Sequence, residues 1–264
     1  MRELSLFSGA GGGLLATKHL LGWTTKGYVE IDDYCQRIIK QRITDGFLDA
    51  APIFGDIRAF NDQGYAEAYR GMVDVITAGF PCQPFSLAGK QAGENDERNM
   101  WLATIECIGM VRPRYCLLEN VPGLLASGYF GTILGDLAAC GYDARWRVLS
   151  AAEMGAPHKR DRLWAVAYSG ENRSGLCEDE NYNNNQVVDN TERERQAAAL
   201  DATPNLSAWA SLSAPEFWGG GDGVADWVGK GWGAVGNGQV PLVVATAWKL
   251  LMNNQIERNS TDRE

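Results

Sequence analysis

Short apolar runs alternate along this chain with longer segments whose apolar residues recur every three to four positions. Glu3-Leu4-Ser5-Leu6-Phe7, Thr25-Lys26-Gly27-Tyr28-Val29 and Val73-Asp74-Val75-Ile76-Thr77 predict short strands, as does Arg114-Tyr115-Cys116-Leu117-Leu118. Leu14 to Leu21, Tyr34 to Ile43, Met100 to Val111 and Thr132 to Cys140 predict the helices between them. In the second of these, Ile38, Ile39 and Ile43 share one face. Ile53-Phe54-Gly55-Asp56-Ile57 predicts a third strand end. Arg145 to Leu149 and Leu163 to Ala167 predict two late strands, and Leu242 to Met252 a last helix. Strands alternating with helices imply an α/β fold with a mostly parallel, Rossmann-like sheet.

The pattern lapses from Ser169 to about Ser213. That segment is rich in Asn, Glu, Ser and Ala, with Asn183-Asn184-Asn185 and a charge cluster from Glu192 to Arg195. It is expected to be loop, partly disordered. Trp209, Phe217, Trp218, Trp227 and Trp232 follow among many glycines, as a small core or as a base-stacking surface. The expected division is a catalytic unit of 1–168 plus 233–252, a short irregular region of 169–232 and a polar tail of 253–264.

Composition narrows the picture. A chain of 264 residues with 45% apolar content supports one sizeable α/β domain with a small appendage. A net charge of −9 argues against coating nucleic acid non-specifically, but leaves room for a local basic cleft. The six cysteines (35, 82, 107, 116, 140 and 177) lack metal-type spacing, and there are two histidines, so no metal site is expected. Free thiols without a signal peptide point to a cytoplasmic setting. No apolar run reaches the ~18 residues of a membrane span, so no membrane association is expected.

Chemistry concentrates at the predicted strand ends. Ser8-Gly9-Ala10-Gly11-Gly12-Gly13 lies between a strand and a helix, the frame of a nucleotide-binding turn. Glu30 ends the second strand, where an acid bonds ribose hydroxyls or caps a helix; Asp32 and Asp33 compete for the capping job. Asp56 beside Ile57 suits an adenine, one accepting from its amino group and the other packing on its ring. Gly79-Phe80-Pro81-Cys82-Gln83-Pro84 sets a thiol just past a strand end in a turn stiffened by two prolines. Cys82 is therefore a candidate nucleophile, against the alternative of a buried apolar cysteine. Glu119 is either a partly desolvated proton donor or a salt-bridged structural acid. Arg160 and Arg162, two apart at a predicted strand start, share one face and suit phosphate or base-oxygen recognition.

With these residues in hand, the chain resembles the DNA (cytosine-5)-methyltransferases of bacterial and phage type. The resemblance rests on Leu6-Phe7-Ser8-Gly9-Ala10-Gly11-Gly12, Glu30, Gly55-Asp56-Ile57, Gly79-Phe80-Pro81-Cys82-Gln83, Glu119-Asn120-Val121, Lys159-Arg160-Asp161-Arg162 and Gly236-Asn237-Gly238. It covers residues 1 to about 168 and about 219 to 250. It implies a methyltransferase fold using S-adenosylmethionine, with a small target-recognition region. Cys82 is implied as the nucleophile at cytosine C6, Glu119 as the acid at N3 and the exocyclic amine, and Asn120 as the residue holding the Cys82 loop. Arg162 and Arg160 are implied at the cytosine O2 and the covering loop, and Arg98 near the hinge of the Ser86 to Asn99 loop. The cofactor is implied on Phe7, Gly9, Ala10 and Gly12, its ribose on Glu30, and its adenine on Ile31, Asp56 and Ile57. Its methionine end is implied on Gly79, Pro81, Trp101, Asn237 and Gly238. Further implications are a monomer acting on flipped cytosines in double-stranded DNA, alongside a cognate restriction endonuclease or in phage protection. The rivals are an RNA cytosine-5 methyltransferase and a weakly catalytic binding protein. His158 and Gly238-Gln239 depart from the family's usual Gln and Ser-Val. The region of 169–232 is sparse between 196 and 229 in the Arg and Lys that direct base readout favours.

Overall fold

The computed structural model describes residues 1–81, 99–156, 158–169 and 238–253. The expectations for Cys82, Arg98, Asn237, the residues between 86 and 98, the target-recognition region from 170 and the tail from 254 lie outside the described residues.

Among the described residues, seven strands form one sheet in the order β3-β2-β1-β4-β5-β7-β6. They are β1 (Arg2–Leu6), β2 (Thr24–Val29), β3 (Ile53–Phe54), β4 (Val75–Ala78), β5 (Tyr115–Asn120), β6 (Tyr142–Ser150) and β7 (Asp161–Ser169). The first five run parallel, and β7 pairs antiparallel with both β5 and β6. The helices are α1 (Gly12–Leu15), α2 (Asp33–Thr44), α3 (Ile57–Asp62), α4 (Tyr65–Ala68), α5 (Trp101–Val111), α6 (Gly123–Ala126), α7 (Tyr129–Ala139) and α8 (Pro241–Asn253).

Both faces of the sheet are covered, which is why its central strands read as apolar runs rather than as alternations. Leu4, Leu6, Ile76, Cys116 and Leu118 point to one face, against Trp101, Ile108 and Val111 of α5 and Ile133 and Leu137 of α7. Val75, Leu117, Trp164 and Val166 point to the other, against Val243, Val244, Ala247 and Trp248 of α8. A smaller cluster of Leu14, Tyr28, Ile39 and Leu48 seats α2.

Several local expectations change. The predicted helix from Leu14 begins at Gly12 and widens into a π-helical turn over Ala16–Leu20. Asp56 does not extend a strand: its carboxylate accepts the backbone N–H of Arg58 and caps α3. A short polar acid outcompetes the sheet ladder there because it satisfies a helix's unpaired donors. Arg160 stands before β7 with φ +38°, so strand alternation does not place it beside Arg162. Strand β5 continues through Glu119 and Asn120, which brings both side chains under the control of the sheet.

Candidate active site

Parallel strands leave their carboxyl ends open on one edge of the sheet, and the turn after β1 closes over that edge. Gly9 and Gly11 adopt φ +55° and +90°, and Phe7 takes φ +53°. Left-handed φ costs a glycine little and a phenylalanine more, so the turn stores strain beside the cleft. Glu30, only 8% exposed, clamps the turn: its carboxylate accepts the N–H of Gly9 at 2.6 Å and of Asp32 at 2.9 Å. Each carboxylate oxygen keeps a lone pair for a further donor.

The main cleft is walled by Phe7, Gly9 and Gly12 from the turn, Thr77 and Gly79 at the end of β4, Glu119 and Trp164 from the next strands, and Gly238 and Gln239 before α8. A Cβ built on Gly9 would meet nothing within 4 Å, so the turn leaves open space on that side. A second cavity adjoins it, lined by Glu119, Arg160, Arg162, Trp164, Gln239, Val240 and Val243. Glu119, Trp164 and Gln239 form walls of both.

Glu119 is the electrostatic centre. It pairs across the ladder with Trp164, so the two side chains share one face of the sheet. Its side chain is 12% exposed, and Arg162 Nε donates to its Oε1 at 2.9 Å. Burial pushes its carboxyl above the usual range, and the Arg162 and Arg160 charges and a hydrogen bond from Gln239 oppose that. Arg160 donates from Nη2 to the Gly238 carbonyl at 2.6 Å, tying the segment before α8 to the start of β7. Its own pKa is lowered, first by burial and then by Arg162.

Asn120 ends β5 and reaches the chain that follows β4. Its Nδ2 donates to the Phe80 carbonyl at 3.0 Å, two residues before that cysteine. The N–H of Met100 donates to the Pro81 carbonyl at 3.3 Å, so the two flanks of the 82–98 segment are joined.

The residues expected around the adenine, and Trp101, expected at the methionine end, lie outside the cleft's walls. Asp56 is committed to its cap and to an ion pair with Arg58 at 2.6 Å, which holds its carboxyl below the usual range. Ile57 is buried and Ile31 is 63% exposed. Trp101 is wholly enclosed: its indole donates to Asp136 at 2.7 Å and its ring packs on Phe80. It supports the β4 end from below.

Gln239, Trp164 and Thr77 were not among the expected site residues. Gln239 lies against Gly12 through its backbone and against Gly13 and Gly79 through its side-chain amide, so Gly12 and Gly13 are small to admit another segment of this protein. The unusual residue at 239 was the available signal. The indole N–H of Trp164 is buried without an acceptor, which costs of order 1–3 kcal/mol unless something supplies one. An open glycine turn and a clamped acid with spare lone pairs fit a polar, nucleoside-bearing cofactor such as S-adenosylmethionine.

Comparison with known proteins agrees with this geometry. Residues 1–211 match the family C-5 cytosine-specific DNA methylase. The type II methyltransferase M.NgoMIV of Neisseria gonorrhoeae is 34% identical over 173 residues, 64% of this chain and 52% of that protein. The type II methyltransferase M.NaeI of Lentzea aerocolonigenes is 31% identical over 171 residues, 63% of this chain and 40% of that protein. The chain thus spans about half the length of the curated relatives it matches. Among solved structures, a mutant of Spodoptera frugiperda DNMT2 superimposes with a TM-score of 0.54 at 24% identity, covering 70% of this chain and 53% of that one; it attests the fold. With the family's model matched over four-fifths of the sequence, the chain belongs to the C-5 cytosine-specific DNA methylases.

Proposed function

We propose that this protein transfers a methyl group from S-adenosylmethionine to C5 of a cytosine turned out of duplex DNA. One observation carries the reading: a largely buried carboxyl, Glu119, held by Arg162 at the boundary between a glycine-turned cleft and a small basic cavity. The cofactor, when bound, supplies an electrophilic sulfonium methyl. Phe7, Gly9, Ala10 and Gly12 of the turn would hold it with Gly79 and Gly238. Glu30 would take its ribose; Ile31, Asp56 and Ile57 would serve its adenine from the ends of β2 and β3. Pro81 and Asn237 belong to the same set, and Trp101 would act through Phe80.

Cytosine C5 is a poor nucleophile. Addition of the Cys82 thiolate to C6 pushes electron density onto C5, and a proton donated at N3 stabilises the adduct. Glu119 is suited to that donation because burial keeps a proton on it to higher pH than an exposed acid would hold. Arg162 orients the acid and, with Arg160, faces the cavity where the base oxygen would sit. Once C5 carries the methyl group, loss of the C5 proton to solvent, expulsion of the Cys82 sulfur and return of the N3 proton to Glu119 complete the cycle. Asn120 fixes the chain two residues upstream of the nucleophile. The substrate is double-stranded DNA, reached by base flipping. The protein acts as a monomer, and the type II naming of its relatives favours a modification role beside a cognate restriction endonuclease.

Incubation with labelled S-adenosylmethionine and unmethylated duplex DNA should transfer label, and Cys82→Ala should abolish it. A covalent adduct should form with DNA containing 5-fluorocytosine. Undiminished transfer by Cys82→Ala, or transfer to tRNA in place of DNA, would overturn the assignment.

A further inference from the structure

Glu119 is held from two directions. Arg162 Nε reaches Oε1 at 2.9 Å. Gln239 approaches the same carboxyl from the segment before α8, and its influence opposes the rise in that carboxyl's pKa. A Cβ built on Gly79 would stand 2.9 Å from Glu119 Oε2 and 3.0 Å from Gln239 Nε2, so the second oxygen and the amide nitrogen converge over that glycine. At its other end the Gln239 amide lies against Gly13, with Oε1 toward that residue and the backbone of Gln239 against Gly12. The side chain therefore spans from the turn after β1 to the acid at the end of β5. It lines both cavities.

We infer that Gln239 is a positioning residue: its amide holds the Glu119 oxygen that Arg162 does not, and so fixes the orientation of the acid that faces the base. An amide donor favours the charged form of a carboxyl, whereas burial favours the neutral one. Gln239 restrains the upward drift that burial imposes, and it does so from the segment before α8, which lies against the cofactor turn. The inference rests on the cytosine-methyltransferase reading for its chemical meaning, though its test does not need that reading.

The test is a titration of the cofactor-free protein, following the Glu119 carboxyl by carbon-13 NMR, with the signal assigned by its loss in Glu119→Gln. Gln239→Met keeps chain length and removes the donor. Its Glu119 midpoint should rise by about one pH unit, the worth of one hydrogen bond to a charged group. Gly79→Ala, which drives a methyl between the same two side chains, is the second variant and should move the midpoint in the same direction. The alkaline limb of the methyl-transfer pH profile should move upward with it. Unchanged midpoints in the folded variants would overturn the role of Gln239. Wild-type protein that titrates as expected but transfers no methyl would overturn the proposed function and leave the positioning role standing.

Discussion

Glu3 sits in the middle of β1 with 1% of its surface exposed, a costly place for a carboxylate. Three hydroxyls meet it: Thr77 donates to Oε1 at 2.6 Å, and Thr17 and Thr25 donate to Oε2 at 2.7 and 3.1 Å. Burial still dominates and raises its pKa; the three hydrogen bonds oppose that, and Asp49 adds to the rise. A group that binds its proton more tightly when folded stabilises the fold below its unfolded pKa. That stability is lost as pH rises through the folded pKa. Glu3→Gln removes the titration while keeping a side chain that can bond the hydroxyls. The variant should gain stability relative to wild type as pH rises from 5 to 8, measured by urea denaturation at each pH. A gain that shrinks with pH would mean that the hydroxyls, rather than burial, control this acid. Glu119 obeys the same physics with arginines in place of threonines, and the proposed mechanism uses that shift for proton donation.

Among the elements, α2 shows how locally a boundary is set. Asp32 stands in an extended conformation and its Oδ1 accepts the Cys35 N–H at 2.8 Å, closing the helix start. Asp32→Ala should cost about 1 kcal/mol, seen as a lower denaturation midpoint with an unchanged slope. Glu30 and Asp32 thus divide the work that their proximity in sequence leaves ambiguous. Asp32 caps the helix, and Glu30 bonds the glycine turn through Gly9. Asp56 caps α3 in the same manner, which is why an acid-apolar pair that reads as a strand end starts a helix.

At the scale of the whole molecule, α8 returns from beyond residue 237 to cover the sheet face opposite α5 and α7. Trp248 anchors it, 9% exposed, with edge contacts to Trp23 at 4.8 Å and Tyr115 at 5.6 Å between ring centroids. Trp248→Ala should destabilise by about 3–5 kcal/mol in chemical denaturation, the usual cost of emptying such a site. S-adenosylmethionine binding, followed by calorimetry, should weaken with it, because Gly238 and Gln239 enter the cleft from the segment that leads into this helix. Among the described residues, no helix is long and apolar enough to cross a membrane.

The sequence by itself determined the order of the elements and the chemistry at their ends. Apolar runs and glycine turns are local signals, and Phe7 to Gly12, Glu30 and Glu119-Asn120 stand out because strand ends are where such residues have no packing reason to be. Only the tertiary structure decided which of them meet. Glu119 lies beside Gln239 and both arginines because β5 and β7 pair antiparallel and α8 folds back across 120 residues of sequence. The apolar identity of Trp101 fits a cleft wall and a core equally well, and packing against Phe80 settled it as core. Glu3 was hidden in an apolar run because its three threonine partners come from three other segments of the chain. Spacing along a chain records which atoms are bonded neighbours, whereas desolvation and hydrogen bonding depend on which atoms are near in space.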